Sequence, residues 1–183
     1  MGGQIVKSIN LRICQLYTTF APIMKILYLH GLDSYLQDDR RTVLSPYGEI
    51  FAPTIDYRNA PNLFAELQTQ YASADVLIGS SLGGLVVYYL AQKLGKPCLL
   101  FNPALTHRHE LPFNTQPNPN YTAYIQVVIG LQDTVIAPWE SLAVLREDMN
   151  SLPNVTIHLL NTMEHSYPIE IFENEVKHFF VNC

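Results

Sequence analysis

The sequence predicts an α/β fold in three layers, with a mostly parallel sheet of about six strands and helices on both faces. Three observations predict it. From Met24 onward, short apolar runs alternate with longer amphipathic stretches. The apolar runs are rich in Ile, Leu and Val and mostly lack polar alternation, as strands covered on both faces do. One run, IGSSLGGL at 78–85, ends abruptly in two serines framed by glycines and leads straight into an amphipathic stretch.

Taken in order, strands are predicted at 25–29, 49–53, 75–79, 97–101, 124–130 and 155–160, and helices at 38–44, 61–71, 82–94, 139–149 and 168–180. Stop signals fix the helix at 82–94, because Gly95 suits the left-handed cap position and Pro97 cannot continue a helix. Pro138 suits the start of the next, where a missing N–H costs nothing. The segment 102–120 holds four prolines and four asparagines without apolar periodicity, and is expected to be a loop over one end of the sheet. Residues 24–183 are expected to form a single domain without a large cap. Residues 1–23 fit the alternation poorly, as an extra strand or arm or as an extension ahead of a start at Met24.

Composition narrows the function classes. A chain of 183 residues is long enough for one sizeable core. Hydrophobic residues make up 48% and charged residues 15%, which excludes a disordered or fibrous chain. No apolar run approaches the roughly 20 residues of a membrane-spanning helix. A formal net charge of -5 argues against broad nucleic-acid binding, which gathers Lys and Arg on one face. Cys14, Cys98 and Cys183 are odd in number and far apart, so free thiols are expected. Arg12 and Gln15 interrupt the apolar run near the start, which argues against a signal peptide. The expectation is a soluble cytoplasmic protein, and its oligomeric state is left open.

The two serines differ in spacing. Gly79 and Gly83 flank Ser81 at two residues on either side, whereas Ser80 has Ile78 and Leu82 there. Only Ser81 centres a GxSxG pattern, the nucleophile elbow, in which a strained turn between strand and helix aims a hydroxyl outward. A serine hydroxyl needs a base and a carboxylate to orient that base. Both follow the serine in chains built on this elbow, the acid first. Asp133, in GLQDTV after the strand at 124–130, is the best acid. Glu140, Glu147 and Asp148 are expected only to solvate a helix face. His165, in NTMEHSYP after the last strand, falls at the same sheet edge and is the preferred base. His158 lies within a strand and His178 within the final helix, where structural roles are expected. His107 and His109 sit in the 102–120 loop, with a spacing and lack of a third ligand that make a metal site a poor prospect.

Two backbone N–H groups are expected to hold the oxyanion. One belongs to Leu82, just after the nucleophile. The other belongs to Leu32, in LYLHGLDS, where His30-Gly31 closes the first strand in a sharp turn held by the His30 side chain. No GxGxxG follows the first strand and Gly95-Lys96 is no P-loop, so no cofactor and no metal are expected.

Together ILYLHGLDS, IGSSLGG, FNPAL, GLQDTV and MEHSY resemble the small esterases of the YqiA-like family of the alpha/beta-hydrolase fold, from about Met24 to the C-terminus. The resemblance implies a compact hydrolase with Ser81, Asp133 and His165 as its triad and esterase or thioesterase activity. Met163-Glu164 stand where small residues are usual in that family. The expected substrate is a small ester or thioester. Without a cap, selectivity would fall to the 102–120 loop, to the helix beginning at Pro138, and to Tyr35, His107 and Trp139 as substrate contacts. Phe101, Phe113, Tyr121 and Trp139 serve either as pocket walls or as core. Two alternatives share the sequence: a binding module on the same fold without turnover, and an acyltransferase using the same triad.

Overall fold

The computed structural model describes residues 23–183, so the expectation for the N-terminal extension lies, apart from Ile23, outside the described residues. Its strands are β1 Lys25–Leu29, β2 Glu49–Phe51, β3 Val76–Ser80, β4 Cys98–Phe101, β5 Ile125–Gly130 and β6 Val155–Leu160. Its helices are α1 Asp38–Leu44, α2 Leu63–Gln70, α3 Ser81–Leu94, α4 Pro138–Asp148 and α5 Ile169–Asn182. The strands form one sheet in the order β2-β1-β3-β4-β5-β6, every neighbouring pair parallel.

Side-chain alternation divides the core in two. Leu27, Leu77, Leu100 and Val127 point to the face that α2, α3 and α4 cover. Ile26, Ile78, Leu99 and Val128 point to the other, against α1 and α5. Successive residues of a strand face opposite sides, so only strands apolar at every position satisfy both layers. Helix α3 is buried almost from end to end, and Gly95 at φ +68° closes it, as the sequence predicts. β6 departs from the expected pattern: it is a half-buried edge strand with Leu159 46% exposed.

Boundaries moved where proline or the elbow decides them. β2 stops at Phe51, two residues short of Pro53, which has no N–H to give a ladder. β3 runs on to Ser80 and α3 begins at Ser81, so strand and helix meet with no residue between them. The 102–120 segment is less irregular than expected, since Leu105–Glu110 forms a 3₁₀ helix.

Strand order places the functional edge. From β1 the chain moves outward to β2, then crosses back past β1 to β3 and continues the other way. The β1 and β3 carboxyl ends are therefore adjacent where the winding reverses, the crevice in which open α/β sheets bind ligands.

Candidate active site

Ser81 follows β3 with φ +53°, a left-handed conformation that non-glycine residues rarely adopt. Its surroundings hold it there. The Ala104 N–H donates to the Ser81 carbonyl at 3.0 Å. A Cβ on Gly83 would stand 2.3 Å from the carbonyl oxygens of both Leu29 and His30, and one on Gly79 would stand 2.6 Å from the Gly83 oxygen. The two glycines of GxSxG thus let α3 press against the ends of β1 and β3.

The turn after β1 is braced by His30, which is buried. Its Nδ1–H donates to the Gly31 carbonyl at 2.6 Å, and Nε2 accepts the Ile55 N–H at 2.9 Å. The Tyr57 hydroxyl donates to the His30 carbonyl at 2.6 Å. Both ring nitrogens are engaged, so the side chain holds the turn, as the sequence predicts. The brace brings Gly31 against the serine: a Cβ there would lie 3.2 Å from that of Ser81.

His165 and Asp133 meet at the same sheet edge. The imidazole Nδ1–H donates to Asp133 Oδ2 at 2.8 Å. The other carboxylate oxygen accepts the N–H groups of Val135 and Ile136 at 2.8 and 2.9 Å. The Asp133 side chain is 1% exposed and that of His165 26%, so the carboxylate lies behind a ring that still reaches solvent. With Nδ1 carrying the proton, Nε2 is the basic nitrogen.

A cleft of about 960 Å³ lies over this edge, and Ser81, His165, Leu32, Leu82, Tyr35 and His107 all line it. Leu82 stands in the first turn of α3, where backbone N–H groups have no intrahelical acceptor. Trp139 is a correction: it does not line the cleft and is 68% exposed, because Pro138 starts α4 with that position turned to solvent. Phe101 and Tyr121 are core, Phe101 stacking on Tyr167 and the Tyr121 hydroxyl donating to the Lys96 carbonyl at 2.6 Å. Met163 is fully buried and turned away from the cleft, so its bulk leaves His165 accessible.

The other acids and histidines separate cleanly. Glu140 and Glu147 are exposed, but Asp148 corrects the expectation of a solvated face. It is buried, accepting from the Tyr88 hydroxyl at 2.9 Å and from Arg108 at 3.2 Å. Burial still raises its pKa. His158 donates to Glu175 at 2.6 Å and His178 to Gln126 at 2.9 Å, structural roles as expected. Cys98 lies buried in β4, where desolvation pushes its thiol pKa up. Among the described residues no group of three or more His, Cys, Asp or Glu is placed to hold a metal ion, and no helix is long and apolar enough to cross a membrane.

Sequence reading assigned no role to Asn102 or Arg40. Asn102, at φ +41° just after β4, donates through Nδ2 to the carbonyls of Glu164 and His165 at 2.8 and 3.0 Å. Its Oδ1 accepts the Gly130 N–H at 2.8 Å. One side chain thereby ties the loop bearing His165 to the strand end leading to Asp133. The available signal was an asparagine directly after a strand at the functional edge. Arg40, on α1, donates to the Tyr167 carbonyl at 2.9 Å, bonds Gln37, and stands 4.9 Å from the Tyr167 ring centre, lining one end of the cleft. Beside it Tyr28 is buried, and desolvation followed by the neighbouring Tyr167 holds its pKa well above the usual phenol value.

The family described as uncharacterised protein family UPF0227 matches residues 25–124, more than half of the 183-residue chain. The chain belongs to this family. It is the YqiA-like family that the sequence motifs resemble, and the match covers β1 through the elbow and FNPAL but ends before Asp133 and His165. No curated protein matches the chain by sequence. Among solved structures, Est1E from Butyrivibrio proteoclasticus is similar with a TM-score of 0.66 and 17% identity, over 87% of each chain. The Bacillus cereus carboxylesterase gives 0.63 and 15%, over 88% of this chain and 89% of its own. The Paleococcus ferrophilus monoacylglycerol lipase gives 0.62 and 12%, over 87% and 95%. At these identities the likeness establishes the alpha/beta-hydrolase fold.

Proposed function

We propose that this YqiA-family protein is a serine hydrolase of small carboxylic esters or thioesters. The observation that carries the reading is the placement of Ser81, at a positive-φ turn, in one cleft with an imidazole whose Nδ1 is held by a buried carboxylate. Ser81 Oγ attacks the acyl carbonyl while His165 Nε2 takes its proton. The carbonyl oxygen gathers negative charge toward the N–H groups of Leu32 and Leu82. As the tetrahedral centre collapses, the C–O or C–S bond breaks and His165 returns the proton to the departing alcohol or thiol. Water, deprotonated by the same nitrogen, then attacks the acyl-serine, releasing the acid and restoring the hydroxyl. Asp133 stays ionised throughout and stabilises the imidazolium. None of these steps calls on a cofactor.

A fluorophosphonate probe tests the nucleophile. The expected outcome is covalent labelling of the wild type and of Ser80→Ala but not of Ser81→Ala, with ester hydrolysis falling at least about 10⁴-fold in Ser81→Ala. Labelling that survives Ser81→Ala would move the chemistry to another residue. Absence of both labelling and turnover in the wild type would favour a binding module. Products formed with competing alcohols would separate hydrolysis from acyl transfer.

A further inference from the structure

A second cavity, of about 310 Å³, opens between the segment leading into α2 and the segment following the 3₁₀ helix. Ala60, Leu63, Phe64, Val86, Leu111 and Phe113 supply its apolar walls. It shares Leu82 and Glu110 with the main cleft, so the residue next to the nucleophile separates the two spaces. Phe64 and Phe113 stack at 4.0 Å between centroids, closing the far end with rigid surface.

Reaction geometry assigns the two ends. On the reading of Ser81 given above, His165 must protonate the leaving atom, which therefore lies on the imidazole side of the tetrahedral carbon. The acyl chain, a different substituent of that carbon, extends away from the imidazole. The His165 end of the cleft carries the polar groups of Arg40, Gln37, Ser166 and Tyr167 beside the apolar Val135, Ile136 and Ile169. The second cavity contains no residue of the His165 loop and lies past Leu82. We infer that this cavity is the acyl pocket: it takes an unbranched apolar acyl chain, while the polar end receives a hydrophilic leaving group. An apolar wall favours each added methylene until the cavity is full, while Arg58 and Glu110 also line the cavity.

The test is a series of p-nitrophenyl esters, from acetyl through butanoyl and hexanoyl to decanoyl, hydrolysed by the wild type, Ser81→Ala and Ala60→Trp. Expected for the wild type is a kcat/KM that rises by up to about fourfold per methylene and then stops. Filling the cavity in Ala60→Trp should lower the hexanoyl-to-acetyl ratio of kcat/KM by roughly tenfold or more. Leu111→Trp, from the other wall, repeats the test should Ala60→Trp fail to fold by circular dichroism. A wild-type-like ratio in a folded filled variant would overturn the acyl pocket while leaving Ser81 in place. Hydrolysis unchanged in Ser81→Ala, or a wild type inactive on every ester, would overturn the nucleophile and the pocket with it.

Discussion

At the scale of single residues, the Asp133 carboxylate divides its work between its two oxygens. Oδ1 is tied to the backbone of Val135 and Ile136, which leaves Oδ2 only one orientation in which to meet His165. Asp133→Asn should keep the backbone bonds through its own Oδ1 and so turn its NH₂ toward Nδ1. That donor would drive the imidazole proton onto Nε2, the nitrogen needed as base. Steady-state kinetics should register a loss of about 10⁴-fold in kcat, with KM and melting temperature near the wild type. A much smaller loss would argue that Asp133 does not set the tautomer. Much of this was legible in the chain, because Asp133 and His165 each follow a predicted strand and so fall at one edge of a parallel sheet. The role of Asn102 was not legible, since its partners are backbone carbonyls 62 and 63 positions away.

At the scale of elements, the site depends on how loops are fastened to the sheet. Asn102 makes three bonds across β4, β5 and the His165 loop, and removing its side chain leaves the buried Gly130 N–H without that acceptor. Asn102→Ala should lower stability by about 2–3 kcal/mol in thermal or denaturant unfolding. Below the melting transition it should also reduce kcat by roughly 100-fold, through misplacement of the imidazole, with little change in KM. Loss of stability with unchanged kcat would make Asn102 a purely structural tie. On the other face Arg108 links the 3₁₀ helix to Glu147 and Asp148 at the end of α4, holding the segment that carries His107 and Glu110 over the cleft. Sequence periodicity gave no sign of this brace, because Asp148 looks like any helix-end acid until Tyr88 and Arg108 close around it.

At the scale of the whole molecule, the position of the cleft follows from winding. Parallel strands joined by right-handed crossovers place successive helices on one face, and reversal of direction between β1 and β3 sends α1 to the opposite face from α2 and α3. The loops after β1 and β3 then diverge around a crevice, which Ser81 and Leu32 line together. Among the described residues, the six strands, the five helices and the two cavities discussed above lie within residues 25–182. A chain begun at Met24 is therefore expected to fold and to be labelled at Ser81 as the longer chain is. Circular dichroism and probe labelling of that chain would check it, and an unfolded or unlabelled product would show that the preceding residues are required.

The sequence by itself determined the alternation of strand and helix, the serine at the turn between β3 and α3, and the positions of Asp133 and His165 after β5 and β6. Each of these is written in local periodicity or spacing, which neighbouring residues set without reference to the rest of the fold. Only the tertiary structure decided that Trp139 faces away from the cleft, that Asp148 is buried, that Asn102 ties the His165 loop to the end of β5, and that a largely apolar cavity adjoins Leu82. Those features depend on the direction of a side chain and on partners tens of residues away, which are fixed only when the helices close over both faces of the sheet.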